Sequence, residues 1–123
     1  TPSYISLEYV LQKAGIVFQY DERITMISYL SRSVDIEGRI YAYRKIKGEI
    51  LIVTQGIIQT GNVNIAIPER AFLDILYLNK EYYFDNLTPL DKNLITKLLP
   101  EYNSKTLTTK VKKLFANGSY QQT

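Results

Sequence analysis

Neither cysteine nor histidine occurs among the 123 residues. A nucleophile–base pair built on a thiolate or an imidazole is therefore excluded. So are the usual ligands of zinc sites, and only hard-cation chemistry on carboxylates stays open. No apolar run approaches the roughly 20 residues that cross a bilayer, so no membrane association is expected. The chain carries no signal-peptide pattern and starts at Thr1 rather than Met, so a piece of a longer protein or a processed form is expected. Lack of cysteine agrees with a cytoplasmic location. There is no glycine-rich phosphate loop, since Gly38, Gly48, Gly56 and Gly61 are scattered. Internal repeats and low-complexity tracts are also missing.

Apolar residues make up 46% of the chain, enough for a globular core without a disulfide or a metal. The length suits one domain, placed at residues 1–118, with residues 119–123 expected to fray. Net charge is +3. Residues 1–100 are balanced, and the excess comes from Lys105, Lys110, Lys112 and Lys113 against Glu101. A second imbalance lies in residues 23–47, where Arg23, Arg32, Arg39, Arg44, Lys45 and Lys47 meet only Asp35 and Glu37. Basic surface of this extent suits solvated exterior, phosphate or an acidic partner.

Residues 6–14 have helical spacing, with Leu7, Val10, Leu11 and Ala14 on one face, Ser6 as expected N-cap and Gly15 as stop. Residues 23–67 have strand character: Ile24–Tyr29, then Arg39–Ile46, a short strand at Ile50–Thr54, and Val63–Ile67. Asp35 to Gly38, Lys47 to Glu49 and Gly61-Asn62 supply turns or breaks. In the second strand Ile40, Ala42 and Ile46 share a face that Arg44 interrupts, while Tyr41, Tyr43 and Lys45 share the other. Pro68 opens a helix over residues 68–79 whose apolar positions cover most of its circumference, so it should be central and buried. Thr88 to Asp91 resembles a capping box before the stripe Leu90, Leu94, Ile95, Leu98 and Leu99, which Pro100 should end. Ser104 or Thr106 caps a last helix with Leu107, Val111, Leu114 and Phe115 inward, closed by Asn117-Gly118. The fold expected is α+β: a small antiparallel sheet packed by a central buried helix, with additional C-terminal helices.

Three polar groupings carry candidate chemistry. Glu69, Arg70 and Asp74 lie on the central helix, where Arg70 and Asp74 are spaced to pair across one turn and Glu69 suits the positive helix end. A salt-bridged core helix explains them, as does partner recognition. Asp35 and Glu37 could serve a metal, but no lysine follows closely and a turn explains them better. The eleven tyrosines are unusual. Tyr41 and Tyr43, beside Arg39 and Lys45, suit base stacking, a protein interface or plain packing. Tyr82, Tyr83 and Phe84 should plug onto the core from a connector. On the last helix Lys105, Thr108, Thr109, Lys112 and Lys113 fall outside the apolar stripe, either as a docking face or as complement to the helix dipole.

Three segments together resemble the AbiEi family of abortive-infection, type IV antitoxins. Ser3-Tyr4-Ile5-Ser6-Leu7-Glu8-Tyr9-Val10-Leu11 followed by Gly15-Ile16 is similar to the YxSLExAL…GL segment after that family's winged helix. Ile36 to Tyr43, with Gly38 at the turn, is similar to its glycine-turn-and-tyrosine strand. Ile65-Ala66-Ile67-Pro68-Glu69-Arg70-Ala71-Phe72-Leu73-Asp74-Ile75-Leu76 resembles its IAxPE(K/R)ALLDLL signature. Order and spacing agree over about residues 3–80. The resemblance implies a non-catalytic antitoxin and transcriptional-regulator domain that counteracts a nucleotidyltransferase-like toxin in phage defence. Operator DNA would be read by a winged helix outside this chain. It implies no cofactor, no metal and no catalytic residue. The alternative from the residues themselves is a nucleic-acid-binding domain using the basic tyrosine strand and the basic last helix.

Overall fold

Pro68 opens the helix around which the core is assembled. A computed structural model describes residues 3–116. This helix, α3 (Pro68–Leu78), buries Ala71, Phe72, Leu73 and Ile75 completely, and Leu76 is 3% exposed. Proline suits its first turn because no intrahelical acceptor exists there for a donor. The expectation of a central helix therefore holds.

The described residues form one α+β unit with a six-stranded sheet in the order β3-β4-β2-β1-β6-β5. The strands are β1 (Tyr4–Ile5), β2 (Ile24–Ser28), β3 (Arg32–Ile36), β4 (Arg39–Lys45), β5 (Ile57–Thr60) and β6 (Val63–Ala66). The other helices are α1 (Glu8–Lys13), α2 (Gly48–Leu51), α4 (Lys92–Leu98) and α5 (Lys105–Ala116), with a 3-10 turn at Leu99–Tyr102. Each sends its buried side chains into one cluster with Tyr4, Ile27, Ala66 and Phe72. Phe72 also meets the rings of Phe84 at 4.9 Å and Phe115 at 5.8 Å.

The sheet is mixed rather than antiparallel. β2 and β4 pair in parallel, as do β1 and β6. Short turns do forbid parallel pairing between successive strands, but these partners are not successive. The chain leaves β2 for the edge strand β3, then returns as β4 between them, so β4 must run with β2. Glu37 and Gly38 make that return as a two-residue loop, both at positive φ (52° and 84°), the geometry that matches strand twist. Gly61-Asn62 likewise joins β5 to β6.

Other local expectations are corrected. The strand at Ile50–Thr54 is instead α2 followed by a turn, with the amides of Ile50 and Leu51 bonded back to the Lys47 carbonyl. Ser6 does not cap α1, which begins after Leu7 with no side-chain cap. The capping residue of α4 is Asp91, whose Oδ1 accepts from Asn93 N at 2.9 Å, rather than Thr88. Pro100 does not stop the chain turning, because a missing N–H is tolerated at the start of the 3-10 turn. Of the connector aromatics, Phe84 is buried and Tyr82 stacks on it, but Tyr83 is 78% exposed. Ser104 caps α5 as expected, accepting from Leu107 N at 3.0 Å. The expected Asn117-Gly118 stop and the tail at 119–123 lie outside the described residues.

Candidate functional site

Two places gather the residues singled out above: a buried polar cluster on α3 and the surface of the sheet away from the helices.

The cluster is centred on Asp74, which is fully buried. Its Oδ2 accepts from Tyr4 Oη at 2.9 Å and Ser6 Oγ at 2.8 Å, and its Oδ1 accepts from Tyr102 Oη at 2.6 Å. Arg70 forms no ion pair with Asp74, contrary to the helical-spacing expectation; the only ion pairs among the described residues are Arg23–Asp21 and Lys47–Glu49. Its guanidinium turns away to three carbonyls, with Nη1 donating to Val53 and Gln55 at 2.6 Å each and Nη2 to Ile50 at 3.0 Å. Nε and Nη2 also reach the Tyr4 hydroxyl at 3.3 and 3.2 Å. Glu69 is spent on the backbone, its carboxylate accepting from Asp91 N at 2.7 Å and so tying α3 to the start of α4.

Burial raises the Asp74 carboxyl above the usual carboxylate range, although the three hydroxyls and Arg70 pull the other way. Burial, then the charge of Asp74, pushes both the Tyr4 and Tyr102 phenols far up. No buried side-chain nitrogen or oxygen among the described residues lacks a partner. Every donor and acceptor here is used by the fold. Ser6 was singled out as a cap, but its hydroxyl belongs to this cluster. Beside it Leu7 stands at φ 63°, a strained value for a non-glycine residue, with its side chain completely buried.

The C-terminus of α3 carries a second arrangement. Arg44 Nη1 donates to Asn79 Oδ1 at 3.2 Å, and Lys110 Nζ donates to the carbonyls of Leu76 and Asn79 at 2.9 and 2.8 Å. Arg44 therefore interrupts the apolar face of β4 because that face looks onto the negative end of a helix. Sequence reasoning missed Tyr4, Tyr102 and Lys110 as site residues. Their partners lie 28 to 70 positions away, so no local spacing announces them.

The sheet's other surface follows from its register. Tyr41 sits opposite Ile24 and Val34, and Tyr43 opposite Met26 and Arg32, so these side chains share the face away from Tyr4, Ile27 and Arg44. Arg39 and Lys45 alternate onto the same face. The Arg32 guanidinium lies 5.0 Å over the Tyr43 ring. Tyr41 and Tyr43 are half-buried, Arg39 and Lys45 exposed. Arg39 also borders a hollow of about 380 Å³ with Tyr20, Glu22 and Arg23.

The basic residues of α5 lie in the helix layer, across the sheet from these. Lys105 and Lys112 border a cleft of about 660 Å³ with Thr96, Asn103, Thr108 and Thr109; Lys113 is exposed but outside it. The two basic candidate surfaces are thus separate. Asp35 holds the β3–β4 turn by accepting from Gly38 N at 3.0 Å. No group of three or more carboxylates able to hold a metal occurs among the described residues. Among them, too, no helix is long and apolar enough to cross a membrane. Glu8 lies in the first turn of α1, half-buried.

Comparison of the chain with protein-family models, curated proteins and solved structures finds no match.

Proposed function

We propose that this chain is a non-catalytic binding module, and specifically an antitoxin-type regulator domain that counteracts a nucleotidyltransferase-like toxin. The observation that carries the binding role is the sheet face bearing Tyr41, Tyr43, Arg39 and Lys45, which the register sets opposite the face of Tyr4, Ile27 and Arg44 that meets the core and the end of α3. Tyrosine and arginine are enriched where proteins meet. The buried cluster supports a non-catalytic reading, since its polar groups are all engaged within the fold. The antitoxin assignment rests on the AbiEi-like segments alone. Operator DNA would be bound by a winged helix beyond this chain, and this chain by itself would bind its promoter weakly and without sequence preference.

Co-expression with a nucleotidyltransferase-like toxin of the kind that the resemblance implies tests the assignment. Growth should be restored at least in part, and Tyr43→Ala should weaken rescue at unchanged protein level. The α5 lysines are the competing surface, tested by Lys112→Glu with Lys113→Glu. No rescue by the parent chain overturns the antitoxin role. Metal-dependent turnover by the pure chain, abolished by one carboxylate substitution, overturns the non-catalytic reading.

A second reading, binding of single-stranded nucleic acid, draws on the Arg32–Tyr43 stack, since bases stack on both kinds of group.

A further inference from the structure

The open face of the sheet has a graded character. Toward β5 and β6 it presents Ile58 and Ile65, which the register places on the same face as Ile5, Met26 and Tyr43. Ile58 is 52% exposed. Toward β3 and β4 it presents Arg32, Arg39 and Lys45, with Val34 and the 53% exposed Ile36 between them, so the gradient is one of charge. None of these three cations is ion-paired among the described residues, and no strand position on this face holds a carboxylate.

We infer that this face docks an acidic protein segment, one with apolar side chains at its centre and carboxylates along the margin that meets β3 and β4. The inference rests on the reading of the chain as a binding module and names what that surface takes. Charge decides the occupant. Covering the face with an apolar partner strands Arg32 and Lys45 away from water without a counter-charge and leaves Arg39 only Glu22 across the hollow they share, which is strongly unfavourable. A second copy packed face to face brings no carboxylate either. A nucleic-acid strand carries a phosphate at every nucleotide, yet the cations are confined to one margin, and the half of the face on β1, β6 and β5 has none to meet them. A protein segment can concentrate its acids on one side and leave the other apolar. Half-buried Tyr41 and Tyr43, on β4 between Arg39 and Lys45, suit the interface core, where aromatic area carries affinity while flanking charge sets association rate and orientation.

The test titrates the full chain by fluorescence anisotropy at near-physiological salt. One probe is a labelled amphipathic peptide with leucines on one face and glutamates along one flank; the other is a labelled oligouridine. The peptide should bind, and a twin with lysine for glutamate should not. Arg39→Glu with Lys45→Glu should weaken the glutamate peptide by about tenfold or more and restore binding of the lysine twin. Lys112→Glu with Lys113→Glu, on the other side of the sheet, should leave peptide affinity unchanged. All four positions are exposed, and circular dichroism verifies that the variants stay folded. Failure of the peptide to bind overturns the inference. So does peptide affinity indifferent to the reversal at Arg39 and Lys45. Tighter binding of oligouridine, lost on the same reversal, assigns the face to nucleic acid instead. Toxin rescue in cells reads the antitoxin role separately, so either can fail while the other stands.

Discussion

Arg70 and Asp74 stand one helical turn apart on α3 with opposite charges, yet the Tyr4 hydroxyl lies between them and they form no ion pair. Each charge is answered elsewhere: Asp74 by three hydroxyls, Arg70 by three carbonyls from the α2–β5 connection. The arrangement joins β1, α1's approach, α2, α3 and the 3-10 turn at Tyr102 through one buried network. Such a network stabilises only while every member is satisfied.

Loss of a single donor should therefore be costly. Tyr102→Phe removes the 2.6 Å bond to a buried carboxylate and should destabilise by about 1.5–3 kcal/mol. Asp74→Ala leaves the buried hydroxyls of Tyr4, Ser6 and Tyr102 short of an acceptor and should cost about 3–5 kcal/mol, since each unmet buried group costs about 1–3 kcal/mol. Urea denaturation measures both. Values within error of the parent would mean that these hydroxyls are solvated in the native state.

The buried carboxyl also sets a pH dependence. Burial holds Asp74 above its unfolded pKa, so the native state binds the extra proton. Its contribution is fully present below about pH 4, the ordinary aspartate value, and is lost as pH rises through the folded value. Stability of the parent relative to Asp74→Asn should fall with rising pH over that window, since asparagine does not titrate. A constant difference between pH 4 and pH 8 contradicts the raised value.

Gly56 has φ +77°, and an added Cβ would lie 3.2 Å from Arg70 Cβ and 3.3 Å from a Leu98 methyl. Gly56→Ala should cost about 1–3 kcal/mol from left-handed strain together with crowding of α3. Gly48, with open space around it, is the control, and Gly48→Ala should lie within about 0.5 kcal/mol of the parent. Equal melting temperatures for the two variants would contradict the close approach at Gly56.

Lys110 differs from its neighbours on α5. Lys110→Ala removes two bonds to carbonyls at the end of α3 and should destabilise by about 1–2 kcal/mol, partly through the helix dipole. Lys112→Ala, exposed, should be neutral within about 0.5 kcal/mol. Thermal denaturation of the pair decides; an equal loss at both would show a general charge effect rather than a cap.

What the sequence determined by itself lies within short windows. The helix from Pro68 follows from its apolar circumference and its opening proline. The turns at Gly38 and Gly61 follow from glycine's tolerance of positive φ, though not the strands β3 and β5 that they join, and α5 follows from Ser104 and the spacing of Leu107, Val111 and Leu114. The tyrosine face of β4 was legible too, because strand alternation assigns side chains to faces without a partner strand. Tertiary structure alone decided the rest. β1 is two residues long and exists only between β2 and β6; β3 has a mostly polar run with no inward face to betray it. Ile50 and Leu51 read as strand on propensity, but the carbonyls that Arg70 collects hold this segment in a turn. Ser6 has the chemistry of a cap and spends it 68 residues away on Asp74. The parallel pairing of β2 with β4 arises because β4 inserts between β2 and β3, and that of β1 with β6 joins strands some 60 residues apart. In each case the deciding partner is distant in sequence, and hydrogen bonds to distant partners leave no periodic trace in the chain.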